Sequence, residues 1–226
     1  MLRGLGTALL ELVYPPRCAA CGEDVLAEPF CAPCAEAVDP VSPGCGRCGL
    51  PGPLDPCGAC LASPPAQVAL AAGGAFGGPL ADAIHALKYG GRPALARPLG
   101  RWLAGRASVP PGARVVAVPL ARGRRIARGY DQAALLADAF ACAARAPRLR
   151  AALRRVRETP PQVGLGREAR RRNVAGAFTA GPGCACLDLV LVDDVVTTGA
   201  TADAAARALL AAGARSVRVV ALARAE

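Results

Sequence analysis

LVLVDDVVTTGAT, at residues 189–201, joins an apolar run to two adjacent aspartates and then to a loop of small hydroxyl residues. The apolar run is typical of a buried strand, and helical spacing follows from Ala202 onward. In open α/β sheets, ligands bind beyond the carboxyl ends of the strands, where loops lead into helices. The segment therefore predicts a parallel sheet with a binding site at its carboxyl edge.

This loop suits a sugar phosphate. Free N–H groups at a helix N-terminus favour an anion, Gly199 permits close approach of the backbone, and threonine hydroxyls can donate to phosphate oxygens. The adjacent carboxylates of Asp193 and Asp194 suit the two vicinal hydroxyls of a ribose, with Mg²⁺ close by. The Walker pattern GxxxxGK followed by Ser or Thr is absent, which excludes a P-loop ATPase. The predicted phosphate-binding residues are Thr197, Thr198, Gly199, Ala200 and Thr201.

The 226 residues suffice for one ordinary domain and a small appendage. Beyond a predicted linker, LASPPAQ at residues 61–67, strand-like and helix-like segments alternate, which is typical of a mostly parallel sheet flanked by helices. The predicted strands are Val68–Phe76, Arg114–Leu120, Leu187–Val192 and Ser216–Leu222. The predicted helices are Leu80–Tyr89, Ala94–Leu103, Gln132–Ala144 and Ala202–Ala212, and the arginine-rich segment up to Arg128 is predicted to be a loop.

Eight of the eleven cysteines precede residue 61, in four C-x-x-C doublets separated by Gly and Pro. Each doublet places two thiolates on one side of a tight turn, and two doublets complete a tetrahedral Zn²⁺ shell. So short and Gly/Pro-rich a segment buries too small a core to fold alone, so metal binding would supply the folding energy. The predicted ligands of two zinc sites are Cys18, Cys21, Cys31, Cys34, Cys45, Cys48, Cys57 and Cys60.

Several alternatives to two zinc sites remain open at this point. One retained zinc site, a disulfide framework and an iron–sulfur centre are each compatible with the doublets, although the absence of a recognisable secretory signal favours metal. Neighbouring doublets pair most simply, but the spacing also permits a crossed arrangement. We interpret Leu2–Val13 as a short amphipathic helix and expect a cytoplasmic protein, because no stretch of eighteen uncharged apolar residues could span a membrane.

The positive charge is confined to one part of the chain. Of the 27 basic residues, 26 are arginine and Lys88 is the single lysine. Between Arg122 and Arg172 there are 14 arginines and four acidic residues, so this stretch carries a surplus of +10, equal to the formal net charge of the whole chain. Such clustering indicates a polyanionic ligand, whether phosphate, pyrophosphate or nucleic acid, or else a solvated basic face.

Taken together, these motifs resemble the ComF (competence protein F) family. VLVDDVVTTGAT is similar to the PRPP-binding motif of type I phosphoribosyltransferases, and the cysteine doublets match as well. The other matching segments are IHALKYGGR (84–92), VPL (118–120), RGYDQ (128–132) and RETPPQVGLGREARRRNVAGAF (157–178). The resemblance implies a short helix and double zinc ribbon over residues 1–62, a phosphoribosyltransferase-like domain over residues 68–226, and a role in natural competence and DNA uptake.

The resemblance also implies roles for individual residues. Asp193 and Asp194 would hold the ribose hydroxyls of PRPP, the loop at residues 197–201 would hold its 5-phosphate, and Mg²⁺ would accompany it. The turn after Leu120 would bind pyrophosphate, and Thr159–Asn173 would form a hood that closes over the site. The residues that match the family around the pyrophosphate and in the hood are Arg122, Arg124, Gln162, Arg170 and Asn173.

One position departs from the family pattern. RGYDQ carries Asp131 where the family more often has Asn, so we expect no ligand role for this residue. The catalytic residues and the acceptor are not identified by the sequence, and we interpret His85 as structural.

Two functional hypotheses follow. The first is a PRPP-dependent transferase; the second is a non-catalytic factor that binds single-stranded DNA, with a regulatory or vestigial PRPP site and with a competence helicase or other DNA-processing proteins as partners. The basic stretch offers only Tyr130 and Phe140 for base stacking, so phosphate contacts are the expected mode of DNA binding.

Overall fold

The computed structural model describes residues 16–25, 29–159, 167–181 and 183–225. The helix predicted at Leu2–Val13 and the hood residue Gln162 lie outside the described residues.

A four-stranded parallel sheet forms the centre of the described structure. The strands, in chain order, are β1 (Ala69–Ala75), β2 (Arg114–Ala117), β3 (Leu153–Arg155), β4 (Phe178–Ala180), β5 (Asp188–Val196) and β6 (Ser216–Arg224). The order across the sheet is β1-β6-β5-β2, and β3 and β4 form a separate antiparallel pair. Helices cover both faces of the sheet, which explains the continuous apolar runs of its central strands. The predicted α/β class is confirmed.

The helices are α1 (Ala32–Glu36), α2 (Gly58–Ala62), α3 (Gly78–Tyr89), α4 (Ala96–Ala104), α5 (Arg122–Arg128), α6 (Gln132–Ala143), α7 (Arg167–Val174) and α8 (Ala200–Ala211), with a 3₁₀ turn at Pro93–Leu95. The loop predicted up to Arg128 was wrong, because these residues form α5. Arginine and alanine are good helix formers, and Gly129 ends the helix in a left-handed conformation with φ 77°. None of the described helices has the length and apolarity needed to cross a lipid bilayer.

Strand β5 is longer than the sequence indicated. The prediction ended at Val192, whereas the strand continues to Val196 because β6 runs beside it throughout. Asp193 pairs with Ala221 and therefore lies inside the sheet, three residues before the strand ends at Val196. Successive side chains of a strand point to opposite faces, so Asp193 and Asp194 are directed to different sides of the sheet.

The cysteine-rich segment covers the outer edge of β1. The backbone N–H of Leu70 donates to the carbonyl of Gly46 at 2.8 Å, and the N–H of Ala75 donates to the carbonyl of Asp39 at 2.9 Å. Contacts of this kind satisfy an edge strand that would otherwise present unpaired groups.

Apolar packing joins the same segment to the helices on one face of the sheet. The ring of Phe30, only 4 % exposed, meets the indole of Trp102 in an edge-to-face contact with centroids 5.8 Å apart. Phe30 belongs to the same core cluster as Leu80 and Leu99 of α3 and α4. The cysteine-rich segment and the sheet are thus parts of one packed structure.

We expect Phe30→Ala to lower the free energy of unfolding by about 3 kcal/mol, since it removes a buried aromatic ring and leaves a cavity beside Trp102. Urea unfolding of the zinc-loaded protein measures the loss. Leu54→Ala is the control, because Leu54 lies in the same cysteine-rich segment and is 61 % exposed. Equal losses in the two variants would contradict a shared core.

Candidate active site and cysteine knuckles

A cleft of about 860 Å³ opens at the carboxyl edge of the sheet. The ends of all four parallel strands contribute to it, and residues of α3, α5, α6 and α7 form its walls. Ligands of open α/β sheets bind at this edge. Six of the residues predicted from sequence line the cleft: Arg124, Arg170, Asp193, Asp194, Thr197 and Thr201.

The loop predicted to bind phosphate, residues 197–201, connects β5 to the first turn of α8 and is called the phosphate loop below. Gly199 has φ 77° and stands at the N-cap of α8, a backbone conformation that side-chain-bearing residues rarely adopt. The hydroxyl oxygen of Thr198 accepts from the N–H of Ala200 at 3.4 Å. Thr197 and Thr201 line the main cleft, and Thr198, Gly199 and Ala200 border a smaller cavity together with Cys48 and Cys60.

Asp194 is held firmly by two residues that the sequence reasoning missed. Its carboxylate is 6 % exposed, lies 2.7 Å from the ammonium nitrogen of Lys88, and accepts from Nε2 of Gln132 at 2.9 Å. Removing one partner of such a buried pair is costly. A signal for Lys88 was available, since it is the single lysine among 27 basic residues. Gln132 is the last residue of the matching segment RGYDQ, but its contact with Asp194 follows only from the packing of α6 against β5.

Asp193 has a different environment, although it is adjacent in sequence. One oxygen of its half-buried carboxyl accepts from the N–H of Asp194 at 2.8 Å. Burial and the neighbouring charge of Asp194 raise the pKa of Asp193 from 3.8 to about 8. A carboxyl in this condition would gain from a ligand that supplies positive charge or hydroxyl groups.

Arginines form the wall that faces these carboxyls. Arg124, Arg128, Arg155 and Arg170 line the cleft. Burial, followed by the charge of Arg124, lowers the pKa of Arg155. Among the described residues, Nη1 of Arg128 and Nε of Arg155 are buried without a hydrogen-bond partner. Unpaired buried donors next to clustered positive charge indicate a site for an anion.

The segment that leads into the turn expected to bind pyrophosphate also borders the cleft, through Val118, Pro119 and Leu120. Asp131 fixes this turn: it accepts from the N–H of Leu120 at 3.0 Å and caps α6 by accepting from the N–H of Ala134 at 3.1 Å. Both oxygens of its carboxylate thus accept hydrogen bonds from the backbone of the protein.

Two other predicted residues lie away from the cleft. Arg122 is exposed at the start of α5 and is not among the residues that line the cleft. The backbone carbonyl of Asn173 accepts from Nη2 of Arg157 at 2.9 Å, and Asn173 likewise is not a lining residue.

The eight predicted cysteine ligands form two tetrads in the described part of the chain. Within each tetrad all sulfur atoms lie within 4.8 Å of one another, and the close contacts measure 3.6–3.7 Å. A zinc tetrahedron with bonds of about 2.3 Å has edges of about 3.8 Å, and a disulfide would need about 2.0 Å. The residues therefore fit zinc. Neighbouring doublets pair, as the simplest prediction had it: Cys18, Cys21, Cys31 and Cys34 in one tetrad, and Cys45, Cys48, Cys57 and Cys60 in the other.

The two tetrads are equivalent electrostatically as well. Burial acts to raise the pKa of the leading thiols Cys18 and Cys45, but backbone N–H groups directed at the sulfurs outweigh it and lower the pKa of both to about 6. Burial raises the pKa of the last thiol in each tetrad, Cys34 and Cys60. The first thiols of the two tetrads thus have pKa values lowered by the same cause, and the last thiols have pKa values raised by the same cause.

The parallel sheet and the two cysteine tetrads define an α/β protein with a double zinc ribbon. Comparisons with known proteins support this class. The family model of the double zinc ribbon domain matches residues 9–62. The chain is 37 % identical to DNA utilization protein YhgH of Salmonella typhi over 208 residues, which cover 86 % of this chain and 90 % of that protein.

A second relative bears the name of the family itself. The chain is 31 % identical to Competence protein F of Haemophilus influenzae over 210 residues, which cover 87 % of this chain and 90 % of that protein. The chain belongs to the ComF family, which includes these competence and DNA utilization proteins.

Among solved structures, glutamine PRPP amidotransferase from B. subtilis, complexed with ADP and GMP, is similar with a TM-score of 0.41 and 23 % identity. The match covers 56 % of this chain and 26 % of that one.

The raised pKa of Asp193 predicts a stability difference that depends on pH. The folded state retains the proton of Asp193 to higher pH than the unfolded chain does, so this residue lowers stability as pH rises from about 4 to about 8. Asp193→Asn cannot ionise. We therefore expect its stability relative to the wild type to be greater at pH 9 than at pH 5, by roughly 1–2 kcal/mol. Thermal unfolding at both pH values measures the difference; a stability difference that does not change with pH would contradict it.

Proposed function

We propose that the protein binds PRPP with Mg²⁺ in the 860 Å³ cleft and transfers its phosphoribosyl group, in the context of competence and DNA uptake. The observation that carries the proposal is the presence, in one cleft, of the phosphate loop, two carboxyls and two buried arginine donors without partners. These features suit the phosphate, the ribose hydroxyls and the pyrophosphate of one ligand.

The positions of the charges support a division of roles within the site. Thr197 to Thr201, at the start of α8, would hold the 5-phosphate, while Arg124, Arg128 and Arg155 would face the pyrophosphate. Since Lys88 and Gln132 already bind Asp194, the half-buried Asp193 is the carboxylate better able to accept a ribose hydroxyl or to approach Mg²⁺. Mg²⁺ would supply charge neutralisation to the pyrophosphate oxygens, which are ligands it prefers.

The reaction would be displacement of pyrophosphate from the anomeric carbon, with positive charge developing on the ribose. Clustered arginines stabilise the departing anion, and a ligand held at both ends has its reacting carbon positioned. Arg170 of α7 lines the cleft, which supports the hood as the element that would exclude water. The acceptor that would attack this carbon stays unassigned.

We expect the zinc-loaded protein to bind PRPP only with Mg²⁺, and Asp193→Asn/Asp194→Asn to weaken binding at least 100-fold, because the ribose contact of Asp193, the ion pair of Asp194 with Lys88 and the negative charge near the metal are removed. Isothermal titration measures binding, and the same samples are assayed for pyrophosphate release. Asp188→Asn, at the other end of β5, is the matched control, and circular dichroism establishes folding. If the double variant loses its fold, Asp193→Asn alone decides. Wild-type protein that fails to bind PRPP overturns the proposal.

A second function, binding of single-stranded DNA, is favoured by an aromatic wall beside the basic helix α5. The rings of Phe76, His85 and Tyr89 line the cleft as a row. The ring centroids of Phe76 and His85 are 5.8 Å apart, and those of His85 and Tyr89 are 6.1 Å apart. The guanidinium of Arg128 lies 4.8 Å from the ring centroid of Tyr89. Tyr89 is 72 % exposed. Aromatic rings next to arginines are the usual stacking platform for single strands.

This wall differs from the aromatic residues that the sequence offered. Phe140 is fully buried in the core, and the hydroxyl of Tyr130 donates to the backbone carbonyl of Leu87. The exposed rings instead come from residues 76–89, outside the basic stretch, and the fold brings them beside it. Exposed Arg122, Arg125 and Ile126 on α5 extend the surface, with Ile126 70 % exposed.

We expect Tyr89→Ala to weaken binding of a 20-nucleotide oligothymidine by about tenfold, and Tyr89→Phe to retain it, because stacking needs the ring and not the hydroxyl. The salt dependence should stay unchanged in Tyr89→Ala and fall by about 1.4 in Arg122→Ala/Arg125→Ala, which removes two phosphate contacts. Fluorescence anisotropy between 50 and 200 mM NaCl measures both. Binding unaffected by Tyr89→Ala would rule out stacking at this wall.

A further inference from the structure

The second cysteine tetrad lies directly behind the phosphate loop. A small cavity of about 30 Å³ is bordered on one side by Cys48 and Cys60 and on the other by Thr198, Gly199 and Ala200. The same loop therefore borders the ligand cleft, through Thr197 and Thr201, and a cavity that it shares with two cysteines of the second tetrad.

Arg224 joins the two sides. It is the last residue of β6 and is 5 % exposed. Its Nε donates to the carbonyl of Gly49, which directly follows the Cys45–Cys48 doublet, at 3.1 Å. Its Nη1 donates to the carbonyl of Val196 at 3.2 Å and also to the carbonyl of Thr197. A planar guanidinium holds these carbonyls in one fixed relation, which a lysine ammonium cannot do.

Two further contacts fasten the same region. The amide of Gln67, 1 % exposed, donates from Nε2 to the carbonyl of Arg47 at 3.4 Å. The N–H of Ala66 donates at 2.6 Å to Asp203, which lies in the first turn of α8. The segment between the cysteines and β1 is therefore attached to the third cysteine doublet at one point and to helix α8 at another.

We propose that the tight turn of the third cysteine doublet, residues 45–49, holds the phosphate loop in its binding conformation through Gly49 and Arg224. Arg224 is then a positioning residue for the phosphate, and the second zinc site serves ligand binding as well as folding. The inference rests on the proposed function for the identity of the ligand, and on the contacts of Arg224 for the coupling itself.

The first cysteine doublet has the same local structure as the third and provides a matched control. CAACG at residues 18–22 and CGRCG at residues 45–49 form the same knuckle, and the N–H of Gly22 and of Gly49 donates to the carbonyl of the first cysteine in each, at 3.1 and 2.7 Å. Both glycines are left-handed, with φ 83° and 70°. A Cβ at Gly22 would meet nothing within 4 Å, whereas a Cβ at Gly49 would lie 2.9 Å from Leu70 and 3.0 Å from Nε of Arg224.

Gly22→Ala and Gly49→Ala thus impose similar backbone strain, and both leave all eight cysteines in place. Only Gly49→Ala would displace the side chain of Arg224. We expect Gly49→Ala to accelerate amide exchange of residues 196–201 about tenfold in the absence of ligand, and to weaken Mg²⁺–PRPP binding about tenfold. Gly22→Ala should leave both quantities within about twofold. Metal analysis should find two zinc ions per chain in both variants.

Arg224→Lys tests the same contact from its other side, with Arg218→Lys as control, since Arg218 is an exposed residue of the same strand. Arg224→Lys should reproduce the effects of Gly49→Ala, and Arg218→Lys should not. Equal effects of the two glycine variants, or unchanged loop exchange in both Gly49→Ala and Arg224→Lys, would overturn the proposal. Wild-type protein that does not bind PRPP would overturn the proposed function alone, because the exchange of the ligand-free loop still decides the coupling.

Discussion

The pairing of β5 with β6 along their full lengths is the constraint on which the rest of the structure depends. It extends β5 past its apolar run, so that Asp193 is paired with Ala221 and the phosphate loop starts only after Val196. The same register places Arg224 opposite Val196, within reach of the loop carbonyls. A shift by one residue would exchange the faces of both aspartates and separate Asp194 from Lys88.

This register also explains why two neighbouring aspartates behave differently. On one face, Asp194 meets α3 and α6 and is neutralised by Lys88 inside the fold. On the other face, Asp193 is directed toward the side of β3, where the charge of Arg155 is nearby but Arg155 is itself partly buried and donates to Thr159. The carboxylate of Asp194 thus stabilises the structure of the site, whereas among the described residues the carboxyl of Asp193 has no ion pair with a basic side chain. Sites prepared for ligands often keep such groups at a cost in stability.

The sequence predicted what depends on local pattern. The four sheet strands, four of the helices and the two cysteine tetrads follow from apolar periodicity, turn residues and doublet spacing. It did not predict α5, since arginine-rich runs with glycine read as loops unless their helix propensity is counted. Lys88, Gln132, Arg128 and Arg155 escaped notice because their positions in the cleft depend on contacts between distant segments, such as the 62 residues that separate Gln132 from Asp194. The aromatic wall was missed for the same reason.

The cover over β1 has a consequence for how the chain is made. Gly46 and Asp39, which satisfy the N–H groups of Leu70 and Ala75, precede the strand and leave the ribosome first. An uncovered parallel edge strand is a template for joining other chains, and nascent chains are exposed to this hazard before their sheets are complete. Here the cysteine-rich segment that covers β1 is synthesised before β1 itself, and it can fold in time if its cysteines have already bound metal. Zinc supply during synthesis would then govern how much chain escapes self-association.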